Sequence, residues 1–319
     1  MRVNSTRPAA VAGSWYPGSA GALTRDVDAY LGGVADDVLP HGALTAIIAP
    51  HAGLMFSGPV GAYAYKAAAA HGPFDALVLV GPSHFVAFDG VALYPSGAFD
   101  SPLGPAPIDE ALGMELLAAS PLIQSLPSAH GREHSPEMQL PFIRRLLPDA
   151  PVVPLLMGFQ TRDTIHGLAA ALAAVGSGRR ILLVASTDLS HYFDAATAEG
   201  LDRRVQDSVA AGDPEQLQRI FEEYPQGERG RFVACGGGPA IAVMLAARAK
   251  GARHGRVLKY MHSGEISGDN TGVVGYLAGA LGTFSERASA SEPRERSGDH
   301  RVPASERVGG TAGRSPRQE

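Results

Sequence analysis

Three apolar runs, residues 45–49, 76–80 and 181–185, each end at a turn-forming segment that delivers a histidine. These segments read Pro50-His51-Ala52-Gly53, Gly81-Pro82-Ser83-His84 and Thr187-Asp188-Leu189-Ser190-His191. Short runs of Val, Ile and Leu bordered by Gly and Pro predict strands buried on both faces, as in mainly parallel sheets. In such a sheet, residues just past the carboxyl ends of neighbouring strands meet in one crevice. Three imidazoles arriving by the same route predict a metal or acid–base site. A buried structural histidine is the alternative for any one of them, and it weakens as the placement repeats.

Apolar runs alternate with helix-like segments from residue 8 to 284, the pattern of successive strand–helix units. Further strands are predicted at 152–157, 257–261 and 273–277. Ser135-Pro136-Glu137 predicts an N-cap with proline at the first helical position, leading into a helix over 138–147. Asp213-Pro214-Glu215 opens a helix over 216–224 in the same way. Residues 199–211 place Leu201, Val205, Ser208 and Val209 on one helical face, and Pro239 begins an almost wholly apolar helix over 240–249. The expectation is one α/β domain over 1–284, a mainly parallel mixed sheet flanked by helices. Residues 285–319 are Ser, Arg, Glu, Gly and Pro with almost no large apolar side chain, and predict a disordered polar tail.

Composition excludes several classes. A net charge of −5 leaves no electrostatic footprint for nucleic acid or an anionic membrane. No apolar stretch approaches the roughly 20 residues that span a bilayer. The opening Met1-Arg2-Val3-Asn4 lacks the apolar core of a signal peptide. With one cysteine, Cys235, an internal disulfide is ruled out. A cytoplasmic location is expected.

The candidate chemistry gathers in six places. Pro50 ends its strand and exposes His51, and His84 repeats that design; neutral imidazole is a common ligand for Fe, Cu, Zn and Ni. Two histidines that merely cap strands are the competing explanation. Cys235 precedes Gly236-Gly237-Gly238-Pro239 and a helix start, where amides and dipole favour a thiolate. The triple glycine also lets a substrate or metal approach the backbone, while the lysine-bearing phosphate loop and the GxGxxG pattern are both missing. Asp188 and His191 lie three apart; on a helical turn they would share a face, as a base with its orienting carboxylate or as further ligands, unless Asp188 only caps the turn. Glu133-His134 at a predicted helix start is either a second proton-handling element or a cap. Trp15-Tyr16 between turn residues either walls a pocket or plugs the core.

Gly13-Ser14-Trp15-Tyr16, Ala49-Pro50-His51-Ala52-Gly53, Gly81-Pro82-Ser83-His84, Glu133-His134-Ser135 with Gln139-Leu140-Pro141-Phe142, Thr187-Asp188-Leu189-Ser190-His191, Ala234-Cys235-Gly236 and Val274-Gly275-Tyr276-Leu277-Ala278-Gly279-Ala280-Leu281 occur in that order. Together they resemble the Memo family across residues 8–283. The resemblance implies a class III extradiol dioxygenase (LigB-like) fold and a metal held by His51, His84 and Cys235, with Asp188 and His191 beside it. It places His134 on the pocket, and with Trp15, Tyr16 and Gly236 completes the expected lining. Ring-cleaving relatives use two histidines and a carboxylate for Fe(II); Cys235 in the third place widens the implied metals from Fe(II) to Cu and Zn. The implied functions are an iron-dependent oxidoreductase of dioxygenase type, with His191 as base, or a non-catalytic module holding a metal, a peptide or a metabolite. Metal-assisted hydrolysis near His191 ranks behind both. Radical-SAM-type partner proteins are implied by the same resemblance.

Overall fold

The structure, a computed structural model, describes residues 6–285. The expected tail lies outside the described residues apart from Ser285. Twelve strands occur among the described residues, in chain order: Thr6–Arg7 (β1), Gly42–Ala49 (β2), Ala76–Pro82 (β3), Val91–Leu93 (β4), Ala98–Phe99 (β5), Ala106–Pro107 (β6), Ile123–Ser125 (β7), Val152–Met157 (β8), Ile181–Ser186 (β9), His191–Phe193 (β10), His254–His262 (β11) and Val273–Phe284 (β12). Nine of them form the main sheet, in the order β10-β12-β2-β9-β3-β8-β4-β7 with β11 on β12; β1, β5 and β6 form a small separate one.

The heart of the main sheet is parallel: β2 pairs with β9, β9 with β3 and β3 with β8, all in parallel register. Side chains alternate along a strand, and both faces are covered. Ile47, Leu77, Leu79, Leu182 and Val184 pack on one side with the helices Leu54–His71 and Leu140–Leu146. Ile48, Val78, Val80, Leu183 and Ala185 pack on the other with Arg162–Ala174 and Gly237–Ala249. Strands apolar on both faces therefore form the middle of a three-layer α/β/α sandwich. The flanks are antiparallel, with β12 against β2, β11 and β10, and β4 against β8.

Three sequence expectations change. β12 extends seven residues past Leu277, to Phe284, and pairs with both β2 and β11. Residues 187–190 do not turn helically, and His191 begins strand β10. Ser135 is not an N-cap: a short 3-10 turn, Glu137–Gln139, precedes the helix Leu140–Leu146, and the Ser135 hydroxyl donates instead to Pro82 O at 2.8 Å. A tertiary acceptor at the end of β3 wins over the local amide. Asp213 does cap as expected, accepting from Gln216 N at 2.8 Å. Among the described residues no helix is long and apolar enough to cross a membrane.

Candidate metal centre

Because β2, β9 and β3 are adjacent and parallel, their carboxyl ends lie on one edge of the sheet. His51 stands two residues past β2 and His84 two residues past β3, while the end of β9 supplies Ser186 between them. Cys235 comes from a different route, the turn between the short helix Arg229–Phe232 and the helix Gly237–Ala249. One nitrogen of each histidine and Sγ of Cys235 lie within 4.8 Å of one another. His51 is buried, Cys235 partly so, and His84 stands on the open side.

Hydrogen bonds settle which nitrogens face this point. The Tyr65 hydroxyl donates to Gln139 Oε1 (2.9 Å), which directs Gln139 Nε2 to Pro50 O (3.1 Å) and Ser186 Oγ (2.9 Å). Ser186 has one hydroxyl proton and gives it to Ser135 O at 2.6 Å. Its oxygen must therefore accept from His51 Nδ1, 2.9 Å away, so Nδ1 carries a proton and Nε2 faces Cys235 Sγ at 3.2 Å. At His84, Nδ1 donates to Glu133 Oε1 at 2.9 Å, which leaves Nε2 as the nitrogen that can serve a cation. Glu133 is fully buried, and its two oxygens also accept from the amides of His84 (2.6 Å), His134 (3.0 Å) and Ser135 (2.9 Å). A second cluster, His84, Glu133 and His134, is close enough for a metal, but these four bonds already occupy its carboxylate.

The electrostatics describe an imidazolium–thiolate pair in the metal-free protein, from which a bound cation would displace the His84 Nε2 proton. Burial pushes the Cys235 thiol up, but His51 and His84 beside it bring it down to about 6. Burial likewise lowers His84, and Cys235 with Glu133 more than reverses this, to about 10. Desolvation and the neighbouring His51 and His84 hold His134 down to about 3, so it is neutral at pH 7. In the metal-free protein, alkylation of Cys235 by iodoacetamide, followed by mass spectrometry, is expected to have its midpoint near pH 6. The unfolded chain should give about 8.5. A folded-state midpoint at the unfolded value would remove the imidazole–thiolate contact. With a single cysteine in the chain, the signal has one source.

These groups open on a cavity of about 460 Å³, which is also lined by Trp15, His134, Asp188, His191, Tyr192 and Arg231. Trp15 lies against the His134 ring at 4.3 Å between centroids. The structure thus brings His51, His84, Cys235, His134, Asp188, His191 and Trp15 together. Two expected lining residues are elsewhere. Tyr16 is buried with its hydroxyl donating to Glu137 at 2.7 Å, in the core rather than the cavity. Gly236 does not line the cavity either: a Cβ there would come within 2.4 Å of Ser186 O, so the glycine lets the helix start press against the end of β9.

Asp188 has a more definite task than pairing with His191. Its Oδ1 accepts from the amides of His51 (2.7 Å) and Ala52 (3.3 Å), and its own amide donates to Cys235 Sγ at 3.4 Å. Two residues past the end of β9, Asp188 thereby ties the His51 loop to the cysteine turn. Burial pushes its carboxyl pKa up, and His191 and these amides oppose that. Sequence reasoning missed Ser186, Gln139, Tyr192 and Arg231. Ser186 had a signal, as the polar final residue of an otherwise apolar strand.

Comparison with known proteins follows the same outline. A family model described as Memo-like protein matches residues 7–280. A MEMO1 family protein of Methanothermobacter thermautotrophicus is 36% identical over 277 residues, covering 85% of this chain and 98% of that one. A MEMO1 family protein of Methanopyrus kandleri is 34% identical over 281 residues, covering 85% and 97%. An uncharacterized Escherichia coli K12 protein of known structure aligns with a TM-score of 0.54 at 16% identity, over 75% of this chain and 100% of that one. At that identity it shows a shared fold alone.

Proposed function

The chain belongs to the Memo family, and from that premise we propose that it is a metal-dependent enzyme of redox type, its metal held by His51, His84 and Cys235. The observation that carries this is the convergence of two Nε2 atoms and one Sγ within 4.8 Å, with both Nδ1 protons already committed to Ser186 and Glu133. Two imidazoles and a thiolate form a donor set for Fe(II), Cu or Zn. Fe(II) bound there would supply one-electron chemistry and open positions for substrate and O₂. The chain's own residues do the rest. Ser186 and Glu133 hold the two rings, and Asp188 holds the loop that carries His51. His191 lines the cavity with Nδ1 buried and without a protein partner, and is the proposed proton acceptor for a bound substrate. His134, kept neutral, lines the cavity without adding charge to the site.

Anaerobic purification followed by elemental analysis tests the centre. Wild type is expected to hold about one ion per chain, and His51→Ala and Cys235→Ala to hold almost none. Equal content in all three removes these ligands. Oxygen uptake by the iron-loaded protein, screened over phenolic and other small organic compounds, then separates an enzyme from a second reading, metal handling without turnover. That second reading is favoured by Cys235 itself, because a thiolate retains Cu(I) or Zn more readily than a carboxylate does. No uptake across the screen would favour it.

A further inference from the structure

Arg231 lines the same cavity as the three candidate ligands. Its guanidinium lies over the rings of Phe193 (4.9 Å) and Phe232 (5.6 Å). Those rings are 5.0 Å apart, and Phe232 in turn stacks on Tyr224 at 4.6 Å, so the cation rests on a packed aromatic bed. No carboxylate among the described residues lies within ion-pair reach of it. Four other surface arginines, Arg145, Arg162, Arg204 and Arg248, are closed by Asp28, Glu222, Glu223 and Glu215; Arg231 differs from them in being both unpaired and on the cavity wall. Stacking orients a guanidinium without neutralising it, and leaves its planar fork of N–H donors for an oxyanion.

The cavity's remaining lining has matching chemistry. Its one acidic residue, Asp188, turns an oxygen to two backbone amides. Two aromatic side chains present exposed surface at the wall, Trp15 at 38% beside the His134 ring and Tyr192 at 70% exposure. Tyr192 holds φ at +64°, in the left-handed region. That conformation is strained for a non-glycine residue, and strain of this kind collects where a side chain is being presented. Little packing offsets it at a ring so exposed. A volume of about 460 Å³ admits a ligand of one or two rings.

We infer that the cavity selects a planar aromatic carboxylate, with its ring against Trp15 and Tyr192 and its carboxylate on Arg231. The inference rests on this cavity being the working site proposed above, and names the class of compound it takes. Trp15 is the single tryptophan of the chain, so its fluorescence reports on the cavity without added label. The test titrates metal-free protein with 4-nitrobenzoate and with neutral 4-nitrobenzyl alcohol, two quenchers of similar shape, correcting for absorption. The expected result is saturable quenching by the acid, with the alcohol about tenfold weaker or more. Arg231→Gln should weaken the acid by a similar factor and leave the alcohol unchanged, and Arg231→Lys should fall between. Arg248→Gln, which removes an exposed ion pair with Glu215 and does not line the cavity, should bind like wild type. Circular dichroism and urea midpoints confirm that each variant is folded. Equal binding of acid and alcohol, an acid Kd for Arg231→Gln within twofold of wild type, or no saturable quenching by either compound would overturn the inference. Metal retained by the wild type alongside any of those results leaves the metal centre standing; carboxylate selectivity without metal removes only the metal.

Discussion

Replacing Arg7 by methionine is expected to cost about 3–5 kcal/mol, a large share of the roughly 5–15 kcal/mol that holds a domain folded. Arg7 is 3% exposed and Glu137 is fully buried. The guanidinium pairs with the Glu137 carboxylate and donates through Nε to His130 O at 2.7 Å and through a second nitrogen to Glu133 O. Glu137 also accepts from the amides of Ala10 (2.8 Å) and Val11 (3.0 Å) and from the Tyr16 hydroxyl. Methionine fills much the same space over the Phe99 ring but leaves a buried carboxylate with no counterion and the Glu133 carbonyl without its donor. The penalty comes from the orphaned charge, so Arg7→Met combined with Glu137→Gln should cost clearly less than the sum of the two single changes. Urea denaturation at neutral pH measures all three. A loss below about 1 kcal/mol for Arg7→Met would mean that the pair is hydrated in solution. The same bonds reach the proposed metal centre, because the carbonyl that Arg7 holds belongs to Glu133. Weaker metal retention should accompany the lost stability.

How far the centre was legible in the sequence depends on the range of each interaction. His51 and His84 could be placed because Pro50 and Pro82 mark the strand ends locally, and adjacency in a parallel sheet does the rest. Cys235 could be joined to them only through the ordered set of family motifs, since its turn reaches the site by a route that periodicity does not reveal. Glu133 was visible as a residue but not as the partner of His84, which is 49 positions earlier. Asp188 looked like the companion of His191 because spacing is the only relation a sequence displays; its bonds go to a loop 137 positions away. Trp15 and Tyr16 are neighbours in the chain and part company in space, one at the cavity and one in the core. The end of β12 escaped notice because Gly279 and Gly282 lower strand propensity. At Gly282 a Cβ would come within 2.1 Å of Ala43 O, so tertiary packing demands the residue that local propensity argues against.

Glu133→Gln is the change expected to damage the centre most without touching a ligand, lowering metal affinity about 10–100-fold. A carboxylate only accepts, and Glu133 accepts from four N–H groups at once. An amide of the same shape keeps one oxygen. With that oxygen in the Oε1 place, the new NH₂ points at the His84 amide; with the amide reversed, it points at His84 Nδ1 and at the amides of His134 and Ser135. The second arrangement is relieved if His84 moves its proton to Nε2, which removes the lone pair from the nitrogen that faces Cys235. The first arrangement keeps the Nδ1 bond but sets the NH₂ against the His84 amide and strains the loop, and the second takes the lone pair that a cation needs. Burial acts to raise the Glu133 pKa, but the bonds and charge of His84 hold it well below the usual range, at about 2. A depressed carboxyl stabilises the fold above its unfolded pKa, so this contribution is complete above pH 4.5 and fades as pH falls toward 2. Wild type should therefore lose stability across that window more steeply than Glu133→Gln, which has no proton to take up there. Competition with a chromophoric chelator measures the affinity, and urea midpoints between pH 2 and neutrality measure the linkage. An affinity unchanged by the amide would show that His84 keeps its Nε2 lone pair without the carboxylate, and Glu133 would then be a structural anchor of the loop alone.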